Sequence, residues 1–228
     1  MLVWAKGDYM NKLKELVNKY KHIWIVVVYF IFYLPWYFGI QQRDPSRFFD
    51  MHVTLDSMIS FKPIFIFAYM YWFIFVAATF LFVFFYDKDE FYKCCAFMFG
   101  GMTICLIIFT FFPTTFDYRP AVISGNYLER FFLNIVYTAD KPTNVFPSIH
   151  VLNSIGCAIV LIKSKYFKNN YLMYTFAIMS AVIITLSTMF VKQHSIMDAL
   201  AAGIISVILY YLVYVVFDRY LKREHHES

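Results

Sequence analysis

The chain has 228 residues, of which 61% are hydrophobic, 22% aromatic and only 15% charged, with a formal net charge of +5. A soluble domain of this size carries about a quarter of its residues as charges, so the composition excludes one and indicates an integral membrane protein. The basic residues are dispersed among loops instead of gathered in a stripe, which excludes nucleic acid as a partner and leaves the bilayer and its lipids.

Residues 1–22 lack the small-residue cleavage site of a secretory signal. Tyr9, Leu13, Leu16, Val17 and Tyr20 recur at helical spacing, with Lys12, Lys14, Glu15, Lys19 and Lys21 on the other side. This pattern predicts an amphipathic helix lying in the membrane interface; a solvated basic tail is the plainer alternative.

Six apolar runs follow, and the fold class they predict is all-α, a polytopic membrane protein with six transmembrane helices. Ile23–Ile40 is the first span, with Pro35 inside it. Gln41–Ser60 is a polar loop holding Arg43, Asp44, Arg47, His52 and Asp56, read as a solvated connection. Phe61–Tyr86 is the second span, long enough to cross with tilt. After the charged turn Asp87–Glu90, Cys94–Phe112 is the third, where Gly100 and Gly101 allow close helix contact. Pro113–Phe146 is a long polar stretch mixed with Leu128, Phe131, Leu133 and Val136, read as a structured surface or re-entrant segment, and loops of this length are usually functional.

The fourth span runs from Ser148 to Ile162 and covers only ~22 Å against a ~30 Å hydrocarbon core, which sets His150 below the headgroups. Tyr171–Val191 is the fifth span. A tight polar turn at Lys192–Ser195 leads to the sixth, Ile196–Phe217, where Ala199, Ala202, Gly203 and Ser206 offer a small packing face. The chain thus divides into an interfacial helix (1–22), one membrane domain (23–217) and a charged tail (218–228). Placing both termini in the cytoplasm puts 13 of the 20 Lys and Arg residues on that side, as the positive-inside rule requires. Cys94, Cys95, Cys105 and Cys157 lie in or beside apolar runs without metal-ligand spacing and read as small buried hydrophobes.

Two polar interruptions stand at the edges of these runs and face the same, extracytoplasmic side. One is Asn144-Val145-Phe146-Pro147-Ser148-Ile149-His150; the other is Ser187 to His194, followed by Asp198. Ionisable residues in such positions mark functional sites by default. His194 and Asp198 are four apart and share a helix face. The aspartate fixes one imidazole nitrogen and frees the other as a nucleophile. His150, from another helix, suits a general acid on a leaving oxygen. Arg119 and Lys192 suit phosphoryl oxygens, and Ser148 adds a hydroxyl at a helix start whose free N–H groups favour anions. These parts describe phosphoryl transfer through a phosphohistidine, without a metal or other cofactor. Each has a bland counterpart: a membrane histidine is often a hydrogen-bonded packing residue. Two histidines and a carboxylate also make a metal site, but Arg119 and Lys192 would set positive charge beside the ion, and no fourth ligand is apparent.

Pro147-Ser148-Ile149-His150, Ser187 with His194 and Asp198 at their spacing, and Arg119-Pro120 together resemble the three motifs of the type-2 phosphatidic acid phosphatase superfamily. The resemblance spans Pro113–Gly203. It implies His194 as nucleophile, Asp198 as its partner, His150 as the acid, and a lipid phosphate phosphatase as the activity. Phe112 and Thr188 stand where those motifs carry a lysine and an arginine, leaving Lys192 to replace one of them. Ile149 in place of glycine is similar to the inositol phosphorylceramide synthase-like branch, which implies transfer of a phospho-headgroup to a lipid alcohol as the alternative. An inactive lipid-binding or transport relative on the same scaffold is a third expectation.

Overall fold

The computed structural model describes residues 15 and 17–216. Most of the proposed interfacial helix (1–22) and the whole tail (218–228) lie outside the described residues. Two compact units divide between Pro35 and Trp36, inside the first helix of the membrane domain expected over 23–217. The proline there has no N–H to give to the helix ladder.

Helices dominate because runs of Phe, Ile, Val and Leu without water leave the backbone no partner but itself. They are α1 (Trp24–Ile40), the short α2 (Thr54–Met58), α3 (Ile66–Tyr86), α4 (Lys88–Phe111), α5 (Tyr127–Ala139), α6 (Ile149–Lys163), α7 (Tyr171–Phe190) and α8 (Ile196–Tyr210), which runs on as a π-helical turn over Tyr211–Val216. Among the described residues, five segments are long and apolar enough to cross a membrane: Val17–Ile40, Pro63–Tyr86, Lys88–Phe111, Tyr171–Phe190 and Ile196–Val216. The apolar helix α6 is shorter.

Several boundaries have local causes. Asp87 caps α4 by accepting from Asp89 N and Glu90 N, so that helix starts within the charged turn and not at Cys94. The polar stretch after Pro113 contains α5, opened by a reciprocal box in which Asn126 Oδ1 accepts from Glu129 N and Glu129 Oε2 accepts from Asn126 N. Gly125 precedes that box with φ +115°, a conformation that favours glycine.

Helix α6 is the centre of the second unit, packed by α3, α4, α7 and α8. Val151, Leu152, Gly156, Cys157, Val160 and Leu161 are all buried. Close approach depends on glycine: a Cβ on Gly101 would lie 2.4 Å from Leu152 Cδ2, and one on Gly156 would lie 2.9 Å from Phe97. On α8, Ala202 and Ser206 are buried, whereas Gly203 has nothing within 4 Å of a built Cβ. The small face is therefore narrower than its sequence implies. All four cysteines are free and buried.

Helix direction alternates, so one end of the second unit collects the connections that matter. The C-termini of α4 and α7 and the N-termini of α3, α6 and α8 lie there, joined by Lys62 N donating to Phe190 O at 3.0 Å and Ser148 N to Asp198 O at 3.2 Å. A small sheet closes this end: β1 (Phe49–Asp50) pairs in parallel with β2 (Thr114–Thr115). Thr115 also bridges Thr143, and Asn144 N donates to Thr114 O at 2.6 Å.

Candidate active site

The chain between α7 and α8 folds on itself. Gln193 N and His194 N both donate to Thr188 O, at 2.9 and 3.2 Å, and Lys192 adopts a left-handed φ of +56°. This turn delivers His194 to the start of α8. Its Nδ1 lies 3.1 Å from Asp198 Oδ2. The same carboxylate oxygen accepts from Ser195 N at 3.0 Å, so Asp198 both caps α8 and orients the imidazole. Asp198 is fully buried and His194 is 7% exposed. An acid that accepts from Nδ1–H leaves Nε2 of His194 with its lone pair free.

That free nitrogen lies 3.4 Å from Nδ1 of His150. His150 stands in the first turn of α6, where Ser148 caps the helix by accepting from Val151 N at 3.3 Å. The His150 ring is packed against Tyr69 and Trp72 of α3, with centroids 4.7 and 4.5 Å away. His150, His194, Asp198 and Ser148 thus lie together at this end. Ser148 is fully buried, with its hydroxyl engaged in capping.

The two cations foreseen as phosphate clamps are committed to backbone. Lys192 Nζ donates to Asp56 O at 2.9 Å and also to Ile59 O; burial lowers its pKa, partly offset by the nearby Asp56 carboxylate. Arg119 donates to Tyr137 O at 3.0 Å, to Asp140 O and to Gln193 Oε1, and its guanidinium lies 4.4 Å from the Tyr137 ring centre. Burial depresses the Arg119 pKa, against the opposing fields of Asp140 and Tyr137. Burial pushes the Tyr137 phenol up to about 12.

Two residues assigned to a solvated loop do not belong there. Asp56 is 2% exposed. Its carboxylate accepts from Ser195 Oγ at 2.7 Å, Ile196 N at 2.9 Å and Val53 N at 2.9 Å. It holds the first turn of α8, and with it the His194 turn, onto α2. Arg43 donates to Thr110 O at 2.8 Å, to Phe109 O and to Asn144 Oδ1 at 3.2 Å, joining the end of α4 to the segment that leads into α6. Their long-range contacts leave no local sequence signal: the α8 partners of Asp56 lie 139 and 140 positions away. Asp44 does behave as a surface cap, accepting from Ser46 N.

Among the described residues, no group of three or more His, Cys, Asp or Glu side chains converges closely enough to hold a metal ion. The arrangement presents one oriented imidazole with a free nitrogen and a second imidazole in contact with it, behind a cap of buried polar groups. Searches of the chain against protein-family models, curated proteins and solved structures returned no match.

Proposed function

We propose that this chain is an integral-membrane enzyme that cleaves a lipid phosphate ester through a phosphohistidine on His194. The observation that carries the reading is the line Asp198 Oδ2, His194 Nδ1, His194 Nε2, His150 Nδ1, with polar contacts of 3.1 and 3.4 Å. In the first step His194 Nε2 forms a bond to phosphorus as the bond to the leaving oxygen breaks, and His150 gives that oxygen a proton. Asp198 stabilises the positive charge that appears on His194. In the second step His150 takes the proton from an attacking water, whose oxygen bonds to phosphorus while the P–N bond breaks. Nitrogens 3.4 Å apart leave no room for a phosphoryl group between them. Substrate entry therefore swings the His150 ring along the Tyr69–Trp72 wall, and the resting contact is the closed state.

The same reading makes α6 the fourth of six spans, shortened because its N-terminus lies in the recess. It places both termini in the cytoplasm and opens the site to the extracytoplasmic face of the plasma membrane. A lipid alcohol in place of water is the second reading, favoured by Ile149 beside His150 where the phosphatase motif has glycine.

Product analysis decides between them. Purified protein in EDTA is given phosphatidic acid, and separately phosphodiester lipids with diacylglycerol or ceramide as acceptor, beside a His194→Ala control. Free phosphate that disappears in the variant establishes the phosphatase. A new phospholipid formed only with an acceptor establishes the transferase. Activity lost in EDTA and restored by a single metal ion overturns the phosphohistidine mechanism.

A further inference from the structure

Among the described residues, four donor atoms at the site end are buried and find no hydrogen-bond acceptor: Asn144 Nδ2, Gln193 Nε2, Arg119 Nε and Trp72 Nε1. Native proteins leave few such groups, because each one forfeits its hydration without return. Asn144 and Gln193 are 5% and 3% exposed.

The two carboxamides share one arrangement. The oxygen of Asn144 accepts from Arg43, which also binds the Phe109 and Thr110 carbonyls at the end of α4. The oxygen of Gln193 accepts from Arg119, which also binds the Tyr137 and Asp140 carbonyls at the end of α5. Guanidinium is a donor only, so each amide must turn its oxygen to its arginine. The NH2 group is then directed away from the arginine, and the O/N assignment is fixed by chemistry. Gln193 precedes His194, and Asn144 opens the segment that ends at Ser148, where Ser148 N bonds Asp198 O.

We propose that the NH2 groups of Asn144 and Gln193 bind the non-bridging oxygens of a tetrahedral phosphoryl group held between the two histidines. The arginines act at one remove, polarising the amides whose oxygens they hold. This inference rests on the phosphoryl-transfer reading above and assigns the oxyanion ligands of that site. The shared chemistry is a phosphoryl group, whether on a lipid or free.

The test is binding to the full-length protein in detergent, with orthovanadate and dihexanoyl phosphatidic acid as separate probes. Asn144→Asp and Gln193→Glu exchange NH2 for oxygen at constant shape and keep the arginine partner. Each is expected to weaken binding about tenfold or more, the effect of losing a hydrogen bond to a charged group, with no fall in thermal midpoint. Loss with the lipid probe alone, where vanadate does not bind the unsubstituted protein, supports the site and identifies a lipid headgroup as its source. Unchanged affinity for both probes, or no binding of either by the unsubstituted protein, overturns it. Where a variant does not fold, a structure of the unsubstituted protein with vanadate decides: contacts from Asn144 Nδ2 and Gln193 Nε2 support the site, and an oxyanion bound elsewhere overturns it. His194→Ala is assayed for lipid turnover alongside. Products identical to the unsubstituted protein remove the phosphohistidine reading, whereas His194-dependent turnover with unchanged affinities removes only the amide site.

Discussion

The two ends of the helical unit use the same residue types in opposite ways. At the far end, Lys165 pairs with Asp87 across the turns after α6 and α3, with the lysine side chain 71% exposed, and Lys165 N donates to Glu90 Oε1 at 2.9 Å. Phe82, Tyr86, Tyr166 and Phe167 pack beside that pair. The lysine there faces water, and its Asp87 partner, with a side chain 10% exposed, is held by the lysine and by the first amides of α4. At the site end, Asp56 and Asp198 are buried, and Lys192, Arg119 and Arg43 spend their donors on backbone carbonyls. Burying such groups costs several kcal/mol unless every one is partnered. A fold that needed only stability could have filled that end with Phe and Leu, as it does around α6. The contrast is the one the proposed phosphoryl transfer at the histidine end would require.

Removing the proposed nucleophile tests that contrast most severely. His194→Ala is expected to lower lipid turnover by about a thousandfold or more, measured as phosphate or phospholipid product, while Lys165→Ala leaves turnover unchanged. Asp198→Asn is the finer variant. Its amide oxygen can still accept from His194 Nδ1 and Ser195 N, so geometry survives and only the charge is lost. A fall of about a hundredfold is expected, with a near-native thermal midpoint. Equal turnover in His194→Ala and the unsubstituted protein would make both ends structural.

Next in size is Asp56. Its two oxygens accept three donors, so Asp56→Asn sets an NH2 against at least one N–H or O–H. The expected loss is about 2 kcal/mol of stability, read as a lower midpoint in denaturant. Because Asp56 acts on His194 only through the α8 turn, turnover per folded molecule should fall far less than in Asp198→Asn. A variant as stable as the parent but inactive would move Asp56 from positioning into chemistry.

How much of this was legible depends on the range of each interaction. Apolar run lengths located the long helices, and the four-residue step from His194 to Asp198 placed both on one helix face, because both are local patterns. The Asn126–Glu129 box and the Asp87 cap were also local; they explain helix starts that hydrophobicity alone sets too late or omits. The roles of Asp56, Arg43 and Asn144 were not legible. Arg43 bonds carbonyls 66 and 67 positions away, and a backbone carbonyl as partner leaves no trace in residue identity. Lys192 was expected on phosphate for its charge, but its left-handed turn carries the ammonium to α2 instead.

The smallest effect is expected at the far end, and its pH dependence has a definite sign. Burial alone would raise the Asp87 pKa, but bonds from Lys165 and from the Glu90 and Asp89 amides outweigh it and leave the group lowered. Its contribution to stability is therefore complete above the ordinary carboxylate value of about 3.9 and is lost as pH falls through the lower folded value. The bond to Asp87, then its charge, raises the Lys165 pKa. That contribution is complete below about 10.4 and is lost as pH rises through the higher folded value. The midpoint difference between the unsubstituted protein and Lys165→Ala should stay small and flat from about pH 5 to 9, shrink towards both extremes, and shrink again in about 1 M salt. A difference that varies steeply near neutral pH would mean that this pair is coupled to another titrating group, and the two ends would no longer be independent.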